Sequence, residues 1–224
     1  MTISQSDAMP AIVIPAPPKP RLRGIPHAIG AILAIPAAVL CVYSASSDLA
    51  GQAALVYGLS LVFLLGTSAI YHTLQWAPTK RMWLRRIDHL AIFVLIAGSY
   101  TPMCLLALPE EEGRTLLILA WSCAGAGALI SLFWPLVPRW INVGLSIGMG
   151  WLILPYGADI LAQLDWLSIS LWVVGGVLYS IGGVTYARRS PDPIPSVFGY
   201  HEVFHCLVLA AVACHYVAIW RMVV

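Results

Sequence analysis

The chain has 224 residues, of which 60% are hydrophobic and only 10% are charged. A soluble domain carries about a quarter charged residues, so this composition excludes an ordinary soluble protein and indicates a surface that mostly faces lipid. The formal net charge of +2 is too small to suggest a nucleic-acid partner. All five cysteines lie in apolar stretches without CxxC spacing. We therefore expect buried, reduced thiols that pack as small hydrophobic side chains, and no disulfide framework.

The first 24 residues differ in composition from the apolar stretches that follow. Several prolines interrupt this segment, and the basic residues Lys19, Arg21 and Arg23 end it. Because frequent proline prevents a stable helix, we expect residues 1–24 to form a disordered tail. The connections within residues 25–224 are too short to hold a second domain, so we expect a single membrane domain there.

Seven long apolar stretches follow the tail, each near the roughly 20 residues that a helix needs to cross the hydrocarbon core. Charged and turn-forming residues separate them, and the fifth stretch is short with Pro138 and Pro155 nearby. The sequence therefore predicts an all-α integral membrane protein, a bundle of seven transmembrane helices. The predicted spans are Ile25–Ser44, Ala53–Leu74, Ile87–Leu108, Thr115–Trp134, Trp140–Tyr156, Trp166–Ala187 and Phe198–Trp220.

The distribution of lysine and arginine predicts the orientation, because cytoplasmic connections are enriched in these residues. With the N-terminus inside, ten of them lie on the cytoplasmic side, and only Arg114 and Arg221 lie outside. We therefore expect a multi-pass protein of the cell membrane with a cytoplasmic N-terminus and an external C-terminus. The cytoplasmic set is Lys19, Arg21, Arg23, Lys80, Arg81, Arg85, Arg86, Arg139, Arg188 and Arg189.

Polar side chains at three span ends are functional candidates, because ionisable groups within a membrane are costly. The second span ends with Ser68 and His72, one helical turn apart, and the third opens with Asp88. The seventh opens with His201 and His205, which also share one helix face. In the predicted topology these ends lie at the same depth, near the cytoplasmic face. Three histidines that leave one position open are the ligand set of a catalytic zinc ion.

Other histidines have simpler interpretations. A histidine at a span end commonly bonds a carbonyl group or a lipid headgroup, and this is the interpretation of His27 and His89. His215 lies ten residues beyond His205, which is roughly 15 Å further along a helix. That distance is too great for one shared metal ion, so His215 is interpreted as structural.

Simpler roles also exist for two of the candidate residues. The Ser68 hydroxyl can bond back to the backbone of its own helix. The Asp88 carboxylate can pair with Arg85 or Arg86, which precede it on the same segment. The sequence alone leaves these alternatives open.

The start of the seventh span also fits the HExxH pattern of zinc proteases, in which the glutamate, here Glu202, is the general base. This pattern lies at the start of a membrane span, and no downstream residue is close enough to be a third ligand. His72 and Asp88 supply a better third ligand and a better base from other spans. We therefore expect Glu202 to face a neighbouring span or a cytoplasmic arginine.

These residues resemble those of the hemolysin III family, which belongs to the progestin and adipoQ receptor (PAQR) superfamily and to the wider CREST group of membrane hydrolases. The resemblance covers nearly the whole chain after the tail, and the combination of segments is more specific than any one of them. The matching segments are Ser68–His72, Arg86–Leu90, Ala97–Pro102, His201–His205 and Cys214–Tyr216.

The resemblance implies a zinc ion held by His72, His201 and His205 near the cytoplasmic face. It implies that Asp88 holds or deprotonates the attacking water as a general base, and that Ser68 orients a ligand or the oxyanion. Relatives of the family include ceramidases, which hydrolyse lipid amides, and receptors for adiponectin. The bacterial branch is named for haemolysis and is described as pore-forming.

Three functions follow as expectations. The first is a zinc-dependent hydrolase that acts on an acyl bond, above all an amide, of a lipid-like substrate delivered from the membrane. The second is a channel or membrane-perturbing protein with a structural zinc, although the spans contain no ring of charged side chains for an ion pore. The third is a receptor or sensor of membrane homeostasis, although short loops leave little surface for a protein ligand.

Overall fold

The structure, a computed structural model, describes residues 19–134 and 136–224. Within that part of the chain, seven helical segments are long and apolar enough to cross a membrane, which confirms the predicted seven-span helical fold. The helices are α1 (Ile25–Tyr43), α2 (Asp48–Thr73), α3 (Pro78–Leu106), α4 (Glu110–Phe133), α5 (Arg139–Gly150), α6 (Gly157–Gln163), α7 (Trp166–Arg188) and α8 (Tyr200–Val223).

The fifth span is longer and less regular than predicted. It runs over Arg139–Gln163 and not over Trp140–Tyr156. Helix α5 ends at Gly150, a short 3-10 turn follows, and α6 completes the crossing. Pro155 lies in this turn; it has no backbone N–H to donate and its ring crowds the preceding turn, which favours a break in the helix here.

Helix α3 begins at Pro78, well before the predicted start of the span at Ile87. Proline suits the first position of a helix, because its missing N–H has no partner there and its φ angle is already helical. The charged residues of the predicted connection therefore lie on the first turns of α3, in front of the apolar part.

The predicted disordered tail is only partly within the described chain. Residues 1–18 lie outside it, whereas the prediction is wrong for residues 19–24. This part forms a turn against the connection between α7 and α8, and the Arg21 N–H donates to the Ser196 carbonyl at 3.1 Å. The turn leads directly into α1.

Asp165 fixes both the start of α7 and its relation to α8. Its Oδ1 accepts hydrogen bonds from the backbone N–H groups of Leu167 at 2.9 Å and Ser168 at 3.1 Å, as a helix cap does. Arg221, in the last turn of α8, donates to Asp165 Oδ2 at 2.9 Å. This bond holds the pKa of the Asp165 carboxyl below its usual range.

Helix α8 contacts α1, α2, α3 and α7, so it packs against more helices than a span at the edge of the bundle does. One buried apolar cluster joins α1, α2, α3 and α8, and a second joins α3, α4 and α5. Between α3, α5, α7 and α8 lies a cavity of about 1040 Å³. It extends from the end of the bundle where α2 ends and α8 begins to the side chain of His215.

The cysteines have free thiols, but they do not share one environment. Cys41 and Cys104 are buried, as expected for cysteines that pack as small hydrophobic residues. Cys206 is exposed on α8, so the expectation of burial is wrong for this residue.

The contact between α1 and α2 makes a first prediction. A methyl group added at Gly58 would lie 2.7 Å from Cβ of Ala38, so the two helices would have to separate, whereas one added at Gly66 would meet nothing within 4 Å. We expect Gly58→Ala to lower the free energy of unfolding by about 1–3 kcal/mol, and Gly66→Ala to leave it unchanged or slightly higher. Unfolding of the purified protein in detergent measures both, and equal stability of the two variants would contradict this packing.

Candidate metal centre

The ends of two helices bring three histidines together. Helix α2 ends at Thr73, so His72 lies in its last turn, and α8 begins at Tyr200, so His201 and His205 lie in its first two turns. All three side chains are buried, and one donor atom of each lies within 4.8 Å of the others. The structure therefore assembles the predicted ligand set, which can hold a metal ion.

The spacing of these histidines fits a tetrahedral ion. Nε2 of His72 lies 3.3 Å from Nε2 of His201. Two nitrogens bound to one tetrahedral zinc at 2.0–2.1 Å are about 3.3–3.4 Å apart. The ring centre of His205 lies 4.5 Å from that of His201 and 5.0 Å from that of His72. In the described part of the chain, the buried Nδ1 of His205 has no hydrogen-bond partner, so the cluster contains a polar atom that the protein itself leaves unsatisfied.

Asp88, from the third turn of α3, lies beside the cluster. Its Oδ2 is 3.6 Å from Nε2 of His72, the same nitrogen that faces His201. The carboxylate is therefore on the side of the His72 ring where the ligand atoms converge, and not behind the ring. No ion pair within 4.0 Å joins Asp88 to Arg85 or Arg86 among the residues that the structure describes. The alternative in which Asp88 only balances these arginines does not match the geometry.

His27, from α1, supports the cluster and is itself held by Ser68 of α2. The Ser68 hydroxyl lies 2.7 Å from Nδ1 of His27. The His27 ring stacks on that of His205, with centres 3.7 Å apart and planes 4° from parallel. The interpretation of His27 as an interfacial side chain is therefore wrong, because it is buried against a metal-ligand candidate. Its place at the start of the first span, at the same predicted depth as the other three histidines, was the signal that could have found it.

Gly24 allows α1 to begin beside His72. It has a φ of 86°, in the left-handed region that favours glycine, and it lies at the N-terminal cap of α1. A Cβ at this position would lie 2.7 Å from Cβ of His72 and 2.9 Å from the Thr73 nitrogen. The backbone approach that places α1 against the histidine cluster therefore leaves no room for a side chain.

Glu202 bonds to groups outside the cluster. It pairs with Arg23, which confirms the expectation that it faces an arginine. Its Oε2 also accepts a hydrogen bond from the Gly199 N–H at 2.8 Å, which caps the start of α8. One oxygen thus holds the N-terminal turn against α8, and the other caps α8 itself. This arrangement disfavours Glu202 as the base of a protease-type HExxH site.

The remaining two histidines bond backbone carbonyls. Nδ1 of His89 lies 2.8 Å from the Arg85 oxygen, as expected for a histidine bonded to a carbonyl group. Nε2 of His215 lies 3.2 Å from the Trp172 oxygen, and its ring packs against the Trp172 ring. His215 is not part of the metal cluster, as its distance along the helix predicts.

The cluster stands at one end of the large cavity, and the character of the cavity changes along its length. His72, Asp88 and His205 line it at the end where α8 begins. Further inside, its walls are mainly apolar, with contributions from α3, α5 and α7. A molecule that fills this cavity would place a polar part at the histidines and an apolar part among the spans.

The sequence matches the haemolysin-III related family over residues 16–216. The chain belongs to this family. It is 34% identical over 198 residues to a hemolysin-3 homolog of Bacillus subtilis (strain 168), a match that covers 85% of this chain and 88% of that protein. It is 33% identical over 196 residues to hemolysin-3 of Bacillus cereus, with 85% of each chain covered.

Similarity extends beyond bacteria. The chain is 26% identical over 216 residues to an adiponectin receptor protein of Drosophila melanogaster, which covers 88% of this chain and 49% of that protein. The chain is thus a multi-pass membrane protein of the haemolysin-III related family, with relatives in the PAQR superfamily. The resemblance drawn from the sequence is confirmed.

The geometry of the cluster predicts the metal content. After loading with zinc, we expect about one ion per chain, and at least about tenfold less in His72→Ala, His201→Ala or His205→Ala, because a tetrahedral site with three protein ligands tolerates few losses. His215→Ala is the matched control, since it removes a buried histidine from α8 without touching the cluster. Elemental analysis of the folded protein measures the ratio. Full occupancy in His201→Ala would contradict the ligand assignment.

Proposed function

We propose that this protein is a zinc-dependent hydrolase of an acyl bond, above all an amide bond, in a membrane lipid. The observation that supports it most is the position of three buried histidines and one carboxylate at the end of a large apolar cavity within the bundle. A zinc ion with three protein ligands supplies a Lewis acid and an open position for substrate and water. A structural zinc site is instead closed by four protein ligands.

His72, His201 and His205 would hold the ion. Asp88 accepts the proton of the attacking water as it adds to the acyl carbon, and returns it to the nitrogen as the C–N bond breaks. The products are a fatty acid and an amine. Its Oδ2, on the converging side of His72, is suitably placed for both transfers.

Ser68 acts on the cluster through His27. Its hydroxyl fixes the His27 ring, and that ring stacks on His205 and limits its rotation. The groups behind the ligands of a metal site typically set ligand orientation in this way. Ser68 thus orients a metal ligand, one of the two roles that the resemblance implies for it.

The apolar part of the cavity would hold the acyl chain. Its volume of about 1040 Å³ is slightly above the usual range for small-molecule sites. A substrate that is already in the membrane enters the cavity without first crossing water.

A membrane-perturbing function is the second candidate, because two relatives carry the name hemolysin-3. The two functions differ in their dependence on the carboxylate. A pore would release dye from lipid vesicles equally with and without Asp88, whereas a hydrolase would release products only with it.

The proposal includes an orientation with the N-terminus in the cytoplasm, supported by the excess of lysine and arginine on that side. In a bacterial host, we expect alkaline phosphatase fused after Val224 to be active and a fluorescent protein fused there to be dark. Fusions in the connection between α7 and α8 should show the reverse. Active phosphatase in that connection would contradict the orientation and would place the metal centre in the outer leaflet.

The role of Asp88 is tested by replacing its charge alone. Asp88→Asn should keep about one zinc per chain and lower kcat by about 10²–10⁴, the usual contribution of a general base. Product release from a panel of lipid amides and esters measures this effect.

Glu202→Gln is the matched control, because it makes the same carboxylate-to-amide change at a buried position of the same end of the bundle. It should keep zinc and most activity, since an amide oxygen can still cap α8. Loss of activity in Glu202→Gln with Asp88→Asn near normal would reverse the assignment and favour a protease-type site.

A further inference from the structure

The cavity that holds the metal centre has an excess of positive charge at its mouth. Five arginines line it, and all are at the end of the bundle where the histidines lie; they are Arg23, Arg81, Arg85, Arg86 and Arg139. Among the described residues that line the cavity, Asp88 is the only one with an acidic side chain. The positive-inside rule explains arginines on a membrane face, but it does not explain why they line a cavity.

The acidic groups nearby are already engaged. Glu202 pairs with Arg23, and Asp88 lies against His72. Within residues 19–134 and 136–224, no carboxylate lies within 4.0 Å of the guanidinium groups of Arg85, Arg86 or Arg139. Partly buried guanidinium groups without a counter-charge favour an anionic ligand, since charge-assisted hydrogen bonds to them are strong.

Two of these arginines are held in place by aromatic side chains. Nη1 of Arg139 donates to the Tyr200 hydroxyl at 3.1 Å, and its guanidinium lies 5.0 Å from the centre of the Tyr186 ring. The Arg86 guanidinium lies 4.5 Å from the Trp83 ring, and its buried Nε has no hydrogen-bond partner among the described residues. These contacts already restrain the two arginines in the free protein. They therefore lose less conformational freedom when they bind a phosphate or a carboxylate.

The mouth is directly connected to the metal centre. The Tyr186 ring centre lies 5.6 Å from that of His201, and the Tyr200 ring centre lies 6.1 Å from it. Arg139 is therefore separated from the histidine cluster by a single layer of aromatic side chains. With an acyl chain in the apolar part of the cavity and its carbonyl at the histidines, the headgroup of a lipid reaches Arg139.

We propose that Arg139, held by Tyr200 and Tyr186, forms with Arg85 and Arg86 a binding site for the phosphate or carboxylate headgroup of an acylated lipid, so that the substrate is an anionic lipid. This inference rests on the proposed hydrolase function for its substrate, but the binding site itself does not depend on catalysis. It is a site of headgroup recognition, and none of its arginines takes part in the chemical step.

The binding test uses the zinc-loaded full chain in nanodiscs of neutral phosphatidylcholine. The probes are a twelve-carbon alkyl phosphate and the alcohol with the same chain. We expect the phosphate to bind at least about tenfold more tightly, and Arg139→Gln to remove most of that difference, because hydrogen bonds between charged groups are the strong ones. Arg139→Lys, which keeps the charge but loses the planar fork, and Tyr200→Phe, which removes only the hydroxyl, should fall in between.

Arg188→Gln is the matched control for charge. Arg188 is exposed at the end of α7, on the same end of the bundle, and does not line the cavity. Equal binding of phosphate and alcohol, or equal losses in Arg139→Gln and Arg188→Gln, would overturn the proposal. Inorganic phosphate at matched ionic strength separates the sources of the anion. If inorganic phosphate does not displace the bound alkyl phosphate, the ligand of the site is a lipid headgroup. If inorganic phosphate competes as well as the alkyl phosphate itself, free phosphate is the ligand of the site and the lipid assignment is overturned.

The hydrolysis test compares N-acyl lipids with the same acyl chain, with and without a phosphate on the headgroup. We expect a lower KM for the anionic lipid, and Arg139→Gln to raise that KM about tenfold with kcat unchanged. Preferred hydrolysis of the neutral lipid would overturn the headgroup site and leave the hydrolase function intact. Cleavage of neither lipid, together with binding that depends on Arg139, would reject the hydrolase function and leave the headgroup site standing.

Discussion

The approach of His72 to His201 is the contact on which the rest of this structure depends. Two imidazole nitrogens face each other at 3.3 Å, in a buried position near the end of a membrane bundle. Polar groups at such a depth have to be satisfied within the protein, because lipid offers no hydrogen bonds. The end of α2 and the start of α8 bring one donor atom of each of the three histidines within 4.8 Å of the others, a spacing that suits one small ion.

Several unrelated features stabilise this contact. Gly24 lets α1 begin against His72, and the stack of His27 on His205 fixes the third ring. The pair of Arg23 and Glu202 then ties the turn before α1 to the first turn of α8. The start of α1 and the turn before it are thus tied to α2 by close backbone packing, and to α8 by ring stacking and an ion pair.

The sequence predicts the seven spans and the three histidines well, because both depend on local patterns. Apolar length defines a span, and the spacing of His201 and His205 defines a shared helix face. The role of His27 was missed because it depends on the packing of α1 against α8, which no local pattern contains. The break in the fifth span was also missed, although Pro155 lies at it. The apolar stretch before this proline is long enough by composition to be taken for a whole span that ends there.

Asp88 shows most clearly what a sequence leaves undecided. Its carboxylate can pair with arginines two or three residues before it, or it can face a neighbouring span. Only the packing of α3 against α2 shows that it faces His72. That choice leaves Arg85 and Arg86 without a carboxylate partner in the described chain. The same packing thus provides a carboxylate for the metal centre and free guanidinium groups for the cavity mouth. The cavity is lined by arginines at its mouth, by three histidines that could hold a metal ion behind it, and by apolar side chains beyond them, an order that parallels the headgroup, acyl bond and hydrocarbon chain of the proposed lipid substrate.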